Sequence, residues 1–215
     1  VLPDGQRGVI RARTVVDSTG NADLAAAAGE ETEFITADEP AVQGAGQARH
    51  VLGDSYTNSD VGFVDTTDAA DIFFFARRAH ASMPASTWDA GQNQASRERR
   101  RLRGVVTVTP MDILNGRTWP DTIVRPASNF DSHGFTVHDL FFIRDPGTAS
   151  ITANLPYRAL LPKRLDGLLV TGLGISAHRD ALPLLRMQRD VQNQGYAAGY
   201  ASALAARDGV SVRQV

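Results

Sequence analysis

The chain of 215 residues contains no cysteine. That absence excludes disulfide bonds, thiolate catalysis and cysteine-ligated metal, and it removes any signal of redox compartment. No apolar run approaches the ~20 residues that a membrane-spanning helix needs. Neither sign of charge dominates: 22 Lys and Arg stand against 24 Asp and Glu, a net charge of −2. Such a balance gives no general attraction to nucleic acid or to anionic lipid. The five histidines (His50, His80, His133, His138 and His178) include no His-x-x-x-His and no His-Glu-x-x-His pair, so no metal site is expected. There is no G-x-S-x-G elbow of a serine hydrolase. Internal repeats and low-complexity linkers are also missing.

What is present is ordinary globular material, 42% hydrophobic and 21% charged, enough for one large domain or two small ones. The opening "VLPDGQRGVIRARTVVD" reads as the end of one strand, an Asp4-Gly5 turn and a second strand from Gly8 to Asp17. A domain rarely begins inside a hairpin, which predicts polypeptide ahead of Val1. Asp23 to Gly29 reads as a short helix closed by Gly29. Residues 36 to 60 are polar and Gly-rich without clear periodicity. Asp68 to Met83 has helical composition, and Asp89 to Arg103 reads as a second helix ending in a basic run. "GVVTVTPMDILNG" is a strand followed by a Pro-opened turn, "FTVHDLFFIRD" alternates as a strand, and "ASITANLPYRALLP" is extended. "LDGLLVTGLG" is a wholly apolar strand ending in glycines, as in a parallel strand covered on both faces. A long helix runs from about Pro183 to Arg207. Gly195 and Gly199 within it predict a tight contact, because glycine inside a helix costs about 1 kcal/mol against alanine.

Both ends of the chain therefore carry strand–turn–helix signals, whereas the middle is mixed and more polar. Thr14–Gly29 and Gly167–Ala206 are a matched pair, each an apolar strand ending on glycine. In open α/β sheets ligands sit beyond the carboxyl ends of strands. Glycine there lets a ligand approach the backbone, and a following helix N-terminus favours anionic or electron-rich groups. Tight packing without a ligand explains either stretch alone equally well.

Taken together, these segments resemble a known family. "VVDSTGNADLAAAAG" is similar to the second flavin fingerprint of FAD-dependent oxidoreductases of the glutathione-reductase-like class. The segment from "LLPKRLDGLLVTGLG" to "GYAAGYASALAA" resembles the C-terminal part of the same class. Between them Arg97, Glu98, Arg100, Arg101, Gly104, Asp112, Asp131, His133, Tyr157 and Arg158 resemble, in order, the spaced motifs of one branch, the FAD-dependent oxidoreductase family. The resemblance covers most of the chain and is weakest over 36 to 90. It implies an α/β fold with a partial FAD-binding, Rossmann-like domain built from residues 1–34 and 156–215. An α+β cap or substrate domain, residues 35–155, is inserted between them. It also implies an oxidoreductase that binds FAD and takes a hydride from a small organic molecule.

By the same resemblance, Ser18, Thr19 and Gly20 pack against the flavin nucleotide. Gly172, Leu173, Gly174, Ser176, Arg186 and Met187 form the second cofactor-binding set. Thr19 is also placed to cap the turn that follows it. Two departures stand out. The G-x-G-x-x-G dinucleotide fingerprint is absent, so the pyrophosphate cradle is either missing or supplied by a second polypeptide that carries it; the partner expected is that polypeptide or, failing it, a self-associating copy. Leu173 stands where this branch often has arginine. A non-catalytic subunit that binds no FAD by itself is the alternative.

Asp131 and His133, two residues apart on an extended segment, can lie on one side, and a carboxylate beside an imidazole suits general-base work. His178, in the loop before the last helix, is the second candidate for proton handling, so His133 and His178 are the expected catalytic residues. Arg186 could meet negative charge developing on a reduced flavin. The basic run from Arg97 to Arg103 reads either as a solvated face or as arginines pairing with acids inside the molecule. Nucleic acid is not expected there, since no aromatics interleave.

Overall fold

The computed structural model describes residues 5–44, 46–47, 57–58, 63–82, 96–98 and 100–215. Strand β1 (Val15–Asp17) leads into helix α1 (Asp23–Ala27) and strand β2 (Thr32–Glu33). Strands β3 (Gly46–Gln47) and β4 (Thr57–Asn58) form an antiparallel pair ahead of helix α2 (Ala69–Ser82). Then come β5 (Arg101–Leu102), α3 (Pro110–Leu114), β6 (Thr122–Val124), β7 (Ala127–Ser128), α4 (Leu140–Ile143), β8 (Ile151–Thr152) and β9 (Leu155–Pro156). The chain ends with β10 (Leu168–Val170), α5 (Leu182–Leu185) and α6 (Gln188–Asp208).

The sheets are small. β1 and β10 run parallel, with Val15, Val16 and Asp17 opposite Leu168, Leu169 and Val170. The pairs β2–β5, β6–β9 and β7–β8 are antiparallel. This mixture of helix and short sheets is consistent with an α/β class. All three residues of β10 are buried, as its uninterrupted apolar sequence requires. The main core gathers Leu155, Leu160, Leu169, Ile175, Leu184 and Ala198 between β9, β10 and α6. Tyr157 closes its lower edge, donating to the Val212 carbonyl at 2.8 Å, and burial pushes its hydroxyl pKa up to about 12. No described helix is long and apolar enough to cross a membrane.

Several elements differ from the sequence reading. The strand expected over Gly8–Asp17 is limited to Val15–Asp17, and Val9 and Ile10 are over 90% exposed, so no neighbour among the described residues supplies a ladder for them. Residues 1–4, the other arm of the expected hairpin, lie outside the described residues. The helix expected up to Arg103 is extended where it is described: Ser96 bridges Gly44 and Arg101–Leu102 is strand β5. Its charges pair in different directions, Glu98 with Arg179, Arg100 with Asp23 and Arg101 with Glu33, and these tertiary ion pairs override local helix propensity.

"FTVHDLFFIRD" is not a strand either. Asp180 accepts the backbone N–H groups of Val137 and His138 at 2.8 and 2.7 Å, which bends the chain into α4. "GVVTVTP" makes single bridges at Gly104 and Val108, and Thr109 with Asp112 forms a capping box that starts α3. The last helix is two, because Met187 is extended (φ −62°, ψ 145°). Finally, nothing among the described residues meets the position of a Cβ on Gly195 or Gly199, so the tight contact expected there is missing.

Candidate functional site at the paired strand ends

β1 and β10 point the same way, so their carboxyl ends open onto one place. Asp17 organises the first. Its buried carboxylate accepts from the Thr19 backbone N–H (3.1 Å), the Thr19 hydroxyl (2.7 Å) and the Ala25 N–H (3.0 Å). The Thr19 oxygen in turn accepts from the Asp23 N–H at 3.0 Å, capping the turn into α1. Ser18 Oγ lies 3.0 Å from Thr171 Oγ1, which stitches the two strand ends together.

Gly20 and Gly172 both hold positive φ, +73° and +75°, a region that side chains with a Cβ rarely adopt. They face one another: a Cβ on Gly172 would lie 4.0 Å from Gly20 Cα and 3.9 Å from Val191 Cγ1. The Gly172 N–H donates to Gln194 Oε1 (2.9 Å), and Gln194 Nε2 donates to the Leu185 carbonyl (3.0 Å). Two residues on, a Cβ at Gly174 would sit 2.8 Å from the Ala22 nitrogen. Ser18, Thr19, Gly20, Gly172 and Gly174 therefore meet, and Leu173 shares the short 3₁₀ turn between the two glycines. Ser176 is committed elsewhere: its hydroxyl accepts from the Gly104 N–H and pairs with Thr107, both at 2.9 Å.

Asp17 and Gln194 complete this seam, though neither is in the expected set. Gln194 is fully buried at i+3 from Val191 and i−4 from Ala198, a polar residue on the inner face of an otherwise small-residue helix. That mismatch was the readable signal.

Arg186 and Met187 sit where α5 gives way to α6, and Met187 is the N-cap of this 21-residue helix with no side-chain cap. Arg186 is only 7% exposed. Burial lowers its pKa to about 10, Arg97 adds to that, and Asp131 opposes it. Its guanidinium donates to the Asp131 carbonyl and lies 3.7 Å from the Asp131 carboxylate. Its Nε, by contrast, has no hydrogen-bond partner among the described residues. Asp131 also holds His133, whose Nε2 is 2.5 Å from Oδ1. Asp131, His133 and Arg186 are thus one cluster, next to the α6 N-terminus.

His178 is elsewhere, in a cleft of about 490 Å³. Its ring meets His138 edge to face at 5.0 Å between centroids. Burial lowers its pKa, Asp180 opposes this, and His138 and Arg101 add to it. Behind the cleft Glu98 and Arg179 form a buried pair. Glu98 also accepts from the Val42 and Gln43 N–H groups (2.5 and 3.1 Å), and Arg179 donates to the Pro40 carbonyl (2.6 Å). Part of the basic run does pair inside the molecule.

The family model described as FAD dependent oxidoreductase matches residues 79–215, more than half of the chain, and the protein belongs to that family. Its class is accordingly that of the flavin oxidoreductases, proteins whose family binds FAD. No curated protein and no solved structure matches the chain.

The residues at the seam suit part of such a cofactor. Gly20, with nothing within 4 Å of the position of a Cβ, leaves backbone accessible, the uncapped start of α6 offers N–H groups, and the buried Arg186 Nε has no acceptor among the described residues. What the chain does not offer is a glycine cradle for a pyrophosphate.

Proposed function

We propose that the protein is a flavin-dependent oxidoreductase of the glutathione-reductase-like class. Residues 1–34 and 156–215 form its partial, Rossmann-like FAD-binding domain, and residues 35–155 form the inserted cap. The observation that carries this reading is the meeting of Gly20 and Gly172 at the paired strand ends, within a member of the FAD dependent oxidoreductase family. Bound there, FAD supplies the acceptor for a hydride that leaves an organic substrate.

The chain's own residues do the positioning. Ser18, Thr19 and Gly20 present one backbone edge to the cofactor, and Gly172, Leu173 and Gly174 present the other. Gln194 fixes the Gly172 amide so that the turn is held before anything binds. Met187 opens α6, and Arg186 places a positive charge beside that helix start, where developing negative charge is stabilised. His133, oriented by Asp131, handles the substrate proton. Ser176 acts indirectly, by tying the β10–α5 loop to Gly104. The missing G-x-G-x-x-G cradle comes from a second polypeptide that carries it.

The test is a visible absorption spectrum and intact masses on natively purified protein, with Gly172→Val and Arg186→Met beside the parent. Bound flavin in the parent, with a second polypeptide, and its loss in Gly172→Val are the expected results. A colourless parent refutes the reading and favours a structural subunit that binds no FAD.

A further inference from the structure

The segment that carries Asp131 and His133 borders a second cavity. Its alternate residues Phe130, Ser132 and Gly134, with α4 and the turn at residues 145–147, line a pocket of about 430 Å³. That volume falls within the range of small-molecule sites. The pocket shares no lining residue with the cofactor seam or with the His178 cleft.

Its wall is aromatic. Phe130, Phe135, Phe141 and Phe142 all contribute, and the exposure of two of these rings shows that each has a face free. Phe142 is 84% exposed, so its neighbours cover little of either side. Phe135 has one face stacked on Phe63, with 5.5 Å between centroids and 20° between planes, and is still 51% exposed. Phe63 lines the His178 cleft. Phe135 therefore stands between the two cavities, with Phe63 on one side and the aromatic pocket on the other.

Charge decides what such a wall holds. The face of a phenyl ring is the negative part of its quadrupole and attracts a cation. Among the described residues, Asp145 is the one charged side chain in the lining. Its Oδ1 accepts from the Gly147 N–H at 2.8 Å, which fixes the carboxylate, and no ion pair joins it to a described residue. Arg144, its neighbour in the chain, donates instead to the Leu114 carbonyl at 3.4 Å. Arg186 and His133 are both held by Asp131. An anion in the pocket would meet a carboxylate and negative ring faces, and a neutral molecule would leave the carboxylate without a counter-charge.

We propose that this pocket binds a small organic ammonium ion, seated on the open faces of Phe135 and Phe142 beside the Asp145 carboxylate. The site is separate from the cofactor seam and does not depend on the flavin reading.

The test uses the full protein, as purified with any partner, carrying ring-¹³C-labelled phenylalanine. Tetramethylammonium, tert-butanol and pivalate are similar in size and differ in charge, so they are the probes, with potassium chloride as the control for ionic strength. Saturable shifts of phenylalanine ring signals are expected with tetramethylammonium alone. Phe142→Leu keeps an apolar side chain and removes the ring face, and Asp145→Asn keeps the acceptor for Gly147 and removes the charge. Each should weaken tetramethylammonium binding at least several-fold while thermal unfolding stays that of the parent. An equal response to tert-butanol would reduce the site to an apolar patch, and an equal response to potassium would reduce it to surface charge. Either of those results, binding of pivalate, unchanged affinity in either variant, or no response to tetramethylammonium overturns the proposal.

Discussion

Two sets of glycines in this protein look alike in sequence and behave as opposites in the fold. Gly172 and Gly174 end a strand, and their missing side chains are filled by the opposite strand end, Gly20 and Ala22. Gly195 and Gly199 lie one helical turn apart on α6, beside the stacked and exposed Tyr196 and Tyr200, and face open space. The first set brings backbones together. The second weakens a helix with no compensating contact among the described residues. A glycine is therefore informative about packing only once its neighbour is known.

The largest effect should come from the buried ion pair at the far end of the loop that begins at Gly172. Arg179→Met leaves Glu98 buried without its partner, and a loss of about 3–5 kcal/mol in denaturant unfolding is expected. A loss under about 1 kcal/mol would mean that the pair does not hold the 39–43 segment to the β10–α5 loop. Gly174→Ala forces a methyl against the Ala22 backbone, with an expected cost of about 1–3 kcal/mol; a neutral result would show that the seam can relax. On the open side the sign reverses. Gly195→Ala and Gly199→Ala should each stabilise by about 1 kcal/mol. If a second polypeptide covers α6, the same changes should weaken its association in sedimentation experiments, which would turn the contrast into one between two packed surfaces.

The smallest effect is electrostatic. The folded pKa of His178 is depressed by burial, with His138 and Arg101 adding to this and Asp180 and Glu33 opposing it. A depressed histidine favours folding above its unfolded value of about 6.5 and loses that contribution as pH falls through the folded value. Stability should therefore decline below about pH 6.5, and His178→Asn should flatten that decline. An unchanged slope in the variant would assign the decline to other groups.

Much of the seam was legible because its signals are local. An apolar run ending in glycine reads as a buried parallel strand, and "STGNAD" reads as a capped turn. Gln194 showed only as a polar residue on an inner helix face, and nothing local says that it will meet Gly172 or that His138 will meet a histidine 40 residues away. The expected strand over residues 135–145 failed for the same reason: the carboxylate that bends it belongs to Asp180.

By itself, then, the amino-acid sequence determined the strand β10, the helices α1 and α2, the small-residue turns at Ser18–Gly20 and Gly172–Gly174, and a family resemblance borne by motifs in order. These depend on side-chain period, size and backbone freedom within a few residues. Only the tertiary structure decided that the basic run is extended, that the last helix breaks at Met187, that Asp131 joins His133 to Arg186, and that His178 faces His138. Most of those outcomes rest on contacts between distant segments, ion pairs at Glu98 and Asp131 and a ring contact at His178, whose energy outweighs the weak local preferences along the chain.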